Sequence, residues 1–301
     1  MTVHFLTLGD LPLAAHQKVF DRAVSLKARR KRGERDTTLA GRTLVLIFEK
    51  ASTRTRLSFE AAIGQLGGQA ITLSTTDSQL ARGESWADTA RVISGYADAV
   101  MIRTFADARL QEFAKASRVP VINGLTDGGH PVQLLADLFT IRERLGSIEG
   151  RAVAWVGDGA SNMARSWIEA ARIFGFDLRI CAPAGYRPQP AELHERAKLV
   201  ETPAQAVEGA DVVTTDVWTS MGQEKESAQR RQAFAEYCVD SALLSKAKRT
   251  TIVLHCLPAH RGEEISSDVL DGPQSAAWDE AENRMHVQKA LLEKLILAPT
   301  T

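Results

Sequence analysis

Two arginines and three hydroxyl residues stand within five positions: Ser52, Thr53, Arg54, Thr55 and Arg56 read S-T-R-T-R. Guanidinium groups pair with phosphate oxygens in bidentate fashion, and hydroxyls donate to the same oxygens. Upstream lies an apolar, β-prone run from Leu44 to Phe48; downstream, Phe59, Ala62, Ile63 and Leu66 repeat at helical spacing. The five residues therefore sit where a strand hands over to a helix. A helix start carries unpaired backbone N–H groups and the positive end of the dipole, which suits a phosphate group. Serine and threonine are also ordinary N-caps. Cations in a first turn are unfavourable, however, so two arginines there require an anion nearby.

Further candidates follow along the chain. Arg103 ends a strand predicted over 99–102, at the edge where open α/β sheets receive ligands. Ser78 to Glu84 is polar and without period, and so reads as a loop. His130-Pro131-Val132-Gln133 opens a helix: Pro131 suits the first turn, Leu134, Leu138, Ile141 and Leu145 give the face, and Gly146 the end. Asp216 follows a strand over 211–215 and begins D-V-W-T-S-M-G, which includes Ser220 and Met221. His255-Cys256-Leu257-Pro258 follows a strand over 251–254. A thiol nucleophile paired with His255 is disfavoured, because adjacent strand residues point to opposite faces. Gly157-Asp158-Gly159 begins a βαβ unit, but Asn162 stands where a dinucleotide fingerprint needs its third glycine. The strand over 178–182 then ends in Ala182-Pro183 and not in a ribose-binding acid.

The elements that must position these residues alternate. A helix over 11–35 ends in a basic cluster from Lys27 to Arg35, which reads as a solvated helix end balanced by acids elsewhere. Strands over 44–48, 70–73, 99–102 and 119–123 form one set; strands over 152–156, 178–182, 211–215 and 251–254 form another. A last helix over 278–297 aligns Val287, Leu291 and Leu295. This predicts an α/β chain of two domains, each a parallel sheet flanked by helices, with the active site in the cleft between them. The expected divisions are 1–135, an interdomain helix over 136–150, a second domain over 151–277, and a helix over 278–301 that returns to the first. The 301 residues suffice for two domains. Lysine plus arginine equals aspartate plus glutamate at 37 each, which argues against nucleic acid or a membrane surface as partner. Three scattered cysteines, no spanning apolar run and no signal pattern point to a reducing, cytoplasmic setting.

S-T-R-T-R, with its flanking F-E-K and L-S-F-E, resembles the carbamoyl-phosphate loop of the aspartate/ornithine carbamoyltransferase family. S-Q-L-x-R-G-E, M-I-R-T, H-P-x-Q, D-x-W-x-S-M-G and H-C-L-P agree with the family in order and spacing. The last two are similar to its ornithine branch. The resemblance implies that Ser52, Thr53, Arg54, Thr55, Gln79, Arg103, His130, Pro131, Val132, Gln133, Cys256, Leu257 and Arg284 hold carbamoyl phosphate. It makes Arg54, Arg103, His130 and Cys256 catalytic, and gives L-ornithine to Asn162, Asp216, Ser220 and Met221. The implied products are citrulline and phosphate, with putrescine or an N-acylated ornithine as the alternative amine. No metal or cofactor is expected, since the substrate is an activated mixed anhydride. The family further implies a homotrimer in which the loop around Gln79 enters the neighbouring site. Ser85 and Trp86 depart from the pattern of that loop.

Overall fold

The computed structural model describes residues 2–220, 222 and 224–298. It divides into two compact units. The first comprises Met1–Leu135 with Glu282–Thr301, the second Ala136–Ala281. The chain changes unit within two helices, Pro131–Leu145 and Ala277–Ile296.

Unit 1 is built on a four-stranded parallel sheet in the order β2-β1-β3-β4: β1 Thr43–Phe48, β2 Gln69–Ser74, β3 Ala99–Arg103 and β4 Val121–Leu125. All six residues of β1 are buried, as a continuous apolar run demands of a parallel strand covered on both faces. Val45, Ile47, Val100 and Ile102 turn one way, onto Ile93, Leu110 and Phe113 of the helices Trp86–Ile93 and Asp107–Ala116. Leu44 and Leu46 are equally buried on the opposite face, as strand alternation requires. Phe48 lies opposite both Ser74 and Arg103, and Arg103 opposite Leu125, so the carboxyl ends of all four strands are level.

Unit 2 has a five-stranded parallel sheet in the order β7-β6-β5-β8-β9: β5 Ala152–Val156, β6 Asp177–Cys181, β7 Ala197–Leu199, β8 Val212–Thr215 and β9 Ile252–His255. Its core joins Ala154, Val156, Val213 and Val253 to Ala206, Val207, Ile265 and Val269. On the helix Asn162–Phe174, Trp167 packs edge-on against Phe176 at 5.8 Å.

The strand expected over 119–123 lies at Val121–Leu125 and the interdomain helix expected over 136–150 at Pro131–Leu145, and further points differ from the sequence reading. The first helix is Leu13–Lys31, shorter than expected, because Gly33 enters the left-handed region and stops it. Its basic end is answered by acids, Arg29 pairing with Glu34 at 3.2 Å and Asp36 at 3.1 Å. Strand β7, with three residues, is too short to show a period. The same holds for the short helices Pro203–Val207, Ser241–Leu244 and Ser267–Leu270.

Candidate active site

In unit 1 the strand order reverses between β1 and β3, the switch point at which α/β sheets bind ligands. S-T-R-T-R follows β1, and Arg103 ends β3. Ser52 is the N-cap of the helix Thr53–Gln65, its hydroxyl accepting from the Thr55 N–H at 3.3 Å. The capping reading of that hydroxyl is therefore met, beside whatever the arginines do. Those two arginines part company. Arg56 is exposed and pairs with Glu60 at 2.9 Å, and Glu60 also accepts from Thr72 of β2 at 2.7 Å. Burial opposes the charge on Glu60, but the bonds from Thr72 and Arg56 outweigh it and hold the carboxyl below its ordinary range. Arg54 is half-buried, and among the described residues it has no such acidic partner.

Thr55 is buried, and its hydroxyl accepts from Arg284 at 2.7 Å. Arg284 also donates to the side-chain oxygen of Gln133. Residues far apart in the chain are thus gathered at one place: Thr55 at a helix start, Gln133 in the first turn of Pro131–Leu145, and Arg284 on the last helix. His130 precedes that turn and is buried, as is Val132. Burial, then the charges of Arg284 and Arg103, push its pKa well below the usual value, so the ring is neutral at physiological pH. Gln79 stands on a separate loop, opening a single 3-10 turn, Gln79–Arg82, that Gly83 ends in the left-handed region. The departures beside it have a local reason. Ser85 caps the helix Trp86–Ile93 by accepting from the Asp88 N–H at 3.0 Å, and Trp86 packs edge-on against Phe113 at 6.4 Å.

In unit 2 the order reverses between β5 and β8. After β5, Gly157 takes φ of +143°, Asp158 accepts from the Ala160 N–H at 2.9 Å, and Ser161 caps the helix that Asn162 opens. A Cβ on Gly159 would lie 2.8 Å from the Pro188 ring, so this glycine answers to packing within the unit and not to a nucleotide. After β8 comes Asp216. Its carboxylate accepts from the Val217 N–H at 2.8 Å and from the Cys256 thiol at 3.1 Å. Burial raises the pKa of Asp216, against the opposing effects of His255 and the thiol. Burial and the Asp216 charge drive the Cys256 thiol well above its ordinary value. At neutral pH the sulfur keeps its proton and acts as a donor, not as a nucleophile.

His255 faces away from this thiol. Its Nε2 lies 3.0 Å from the buried Glu264 carboxylate, and its Nδ1 accepts from the Leu257 N–H at 2.9 Å. The second bond fixes the tautomer with the proton on Nε2. Leu257 has φ of +56°, uncommon for a side chain of its size, and His255 steadies it there. Ser220 is half-buried, and Met221 lies outside the described residues.

One residue of the region escaped sequence reasoning. Arg230 is buried on the helix Ser227–Ala233 and donates to Asp158 at 2.7 Å, to the Trp218 carbonyl at 2.9 Å and to Glu226 at 3.1 Å. It ties the turn before Asn162 to the loop after Asp216. Only its spacing from Glu226, one helical turn away, is visible in sequence.

The unit 1 edge can hold an anion with guanidiniums and offer a neutral imidazole and an amide beside it. The unit 2 edge pairs an acid with a thiol donor, which suits an ammonium group. Comparison with known proteins agrees with this division. Residues 3–143 match the family model described as aspartate/ornithine carbamoyltransferase, carbamoyl-P binding domain, and residues 149–295 match its Asp/Orn binding domain. A protein of Nitrosococcus oceani named ornithine carbamoyltransferase is 55% identical over 301 residues, 99% of each chain. The crystal structure of ornithine carbamoyltransferase from Burkholderia thailandensis is 49% identical with a TM-score of 0.91, covering 99% of this chain and 100% of that one. The ornithine carbamoyltransferase of Pyrococcus furiosus is 43% identical with a TM-score of 0.94 and 99% coverage of both chains. With both halves matched, the chain belongs to the aspartate/ornithine carbamoyltransferase family.

Proposed function

We propose that this protein is an ornithine carbamoyltransferase: it moves the carbamoyl group of carbamoyl phosphate to the side-chain amine of L-ornithine, giving L-citrulline and phosphate. The observation that carries this reading is the placement of the S-T-R-T-R and D-x-W-x-S-M-G segments at the carboxyl edges of the two sheets, each at its switch point. The names of the full-length relatives favour ornithine over putrescine or an acylated ornithine.

Carbamoyl phosphate is an activated mixed anhydride, so the protein's part is orientation and charge stabilisation. Ser52, Thr53, Arg54, Thr55 and Arg103 hold the phosphate, and Arg54 and Arg103 stabilise it as it leaves. Thr55, Arg103 and neutral His130 stabilise the carbonyl oxygen as charge develops on it. Gln133, with the backbone of Cys256 and Leu257, orients the carbamoyl nitrogen, and Arg284 braces Thr55 and Gln133. Asn162, Asp216, Ser220 and Met221 hold ornithine, Asp216 facing its α-ammonium.

The protein acts in the cytoplasm as a homotrimer whose Gln79 loop completes the neighbour's site. Among the described residues no helix is long and apolar enough to cross a membrane. A citrulline-type colour assay, which reads the ureido group, tests the reaction with ornithine, putrescine and acetylornithine in turn; a ureido product from ornithine alone is the expected result. Sharing is tested by mixing inactive Arg54→Ala and Gln79→Ala chains. Random trimers then regain about a quarter of the native sites; if verified mixed trimers recover nothing, Gln79 acts within its own subunit or not at all.

A further inference from the structure

We propose that Lys50 is a positioning residue that keeps the phosphate-holding and carbamoyl-holding halves of the unit 1 site in register; this rests on the carbamoyl-phosphate reading above. Lys50 is the buried cation of the F-E-K-A-S-T-R-T-R run. Its side chain is only 8% exposed, and its Nζ lies 2.6 Å from an Asp127 oxygen and 4.1 Å from the centroid of the Phe105 ring. An ammonium held in that way, over a ring face and against a carboxylate, is committed to its partners and does not serve as a loose ligand for phosphate.

The partners define what Lys50 does. Asp127 lies in the turn between β4 and Pro131–Leu145, three residues before His130, and its N–H donates to the Phe105 carbonyl at 2.8 Å. Phe105 lies two residues after Arg103. The preceding residue, Glu49, works on the same loops: its N–H donates to the Arg103 carbonyl at 2.8 Å, and its carboxylate accepts from Thr104 and Arg109. Glu49 and Lys50 therefore lace together the segments after β1, β3 and β4, which carry Ser52 to Arg56, Arg103, and His130 with Gln133. The Asp127 end is exposed, so the worth of the pair is in geometry more than in stability.

Carbamoyl phosphate must be gripped at both ends at once, whereas inorganic phosphate needs the anion half alone. A displacement of about 1 Å between the halves costs up to about a hundredfold in rate for a substrate spanning both. The full-length variants Lys50→Met and Asp127→Asn are compared with wild type for kcat/KM toward carbamoyl phosphate and for competitive inhibition by inorganic phosphate. The expected result is a loss of about ten- to a hundredfold in kcat/KM, with phosphate inhibition changed by less than about twofold. The double variant is no worse than the worse single one, because both break the same link. Lys50→Arg restores most of the activity. Equal weakening of substrate and phosphate would overturn the proposal, as would wild-type kcat/KM in either single variant or additive losses in the double. Should Lys50→Met fail to fold, Asp127→Asn carries the same comparison. A wild-type protein that forms no citrulline removes the functional reading itself, a distinguishable failure.

Discussion

Unit 1 sets Arg103 and Arg284 around a histidine that burial and their charges keep neutral, while unit 2 sets one acid, Asp216, against a thiol that burial keeps protonated. Each constellation has a member at the switch point of its sheet, Arg103 at the end of β3 and Asp216 after β8. They differ in the sign of the charge left to be answered. At the unit 1 edge Arg54 has no acidic partner among the described residues; at the unit 2 edge the donors to Asp216 found among them, the Val217 N–H and the Cys256 thiol, are neutral. One fold thus presents opposite polarities by changing which residues follow which strand, while the scaffold stays the same.

The comparison breaks most easily at Arg54. Arg54→Ala should lower kcat/KM by about 100- to 1000-fold, the loss of a preorganised charge contact worth roughly 3 to 4 kcal/mol. Arg56→Ala should cost less than about tenfold, because an exposed i,i+4 pair with Glu60 contributes little. Equal losses in steady-state kinetics would erase the distinction between the two arginines.

The acidity of the attacking amine gives the next effect. With a lysine-like pKa of about 10.4, only about 0.1% of ornithine side chains are neutral at pH 7.4. Where attack limits the rate, kcat/KM for ornithine should rise by close to tenfold per pH unit from 6 to 8.5. His130 should add no inflection there: its pKa is lowered from 6.5, so it has already lost its proton. A flat or falling profile would contradict direct attack by the free amine.

Asp216→Asn sharpens the contrast of polarity. If Asp216 faces the ornithine ammonium as proposed, removing its charge should raise the KM for ornithine by about thirty- to a hundredfold, and change that for carbamoyl phosphate by less than about threefold. If both substrates weaken alike, the two edges are not specialised in this way.

The smallest effect concerns Cys256. Burial and Asp216 raise its pKa, so its thiolate is scarce at neutral pH. Iodoacetamide should therefore label it at least about tenfold more slowly than free cysteine at pH 7.5, and faster as pH rises. Rapid labelling at neutral pH, mapped by peptide mass, would show an activated thiol instead.

How much of this could be read from the sequence depended on distance along the chain. S-T-R-T-R was legible because its five chemical groups and the strand–helix junction that aims them are contiguous. The strands of both sheets were legible as apolar runs between loops, except β7, whose three residues show no pattern. The disfavoured Cys256–His255 dyad followed from strand alternation, and the two side chains do turn to different partners, Asp216 and Glu264. Tertiary ties stayed hidden. Nothing local announces that Arg284 reaches Thr55 across 229 positions, or that Arg230 reaches Asp158 across 72. Lys50 was visible as part of a motif, but its partner Asp127 was not, since a lone acid in a turn resembles any solvated one. Family resemblance placed Arg284 among the candidates; only the folded chain shows it holding Thr55 and Gln133.

That reach of Arg284 has a consequence in time. Arg284 is synthesised after every strand of both sheets, and it is the donor to both Thr55 and Gln133. A chain still being made can complete the sheet of unit 1, yet it lacks the arginine that fixes those two side chains. Ligand stabilises only states that bind it. On the proposed assignment, carbamoyl phosphate therefore stabilises a nascent or truncated chain less than the finished one, and its full protection begins once the final helix is in place. Late frameshifts that spare every strand should for this reason leave a protein that folds its sheets but gains less thermal stability from the substrate.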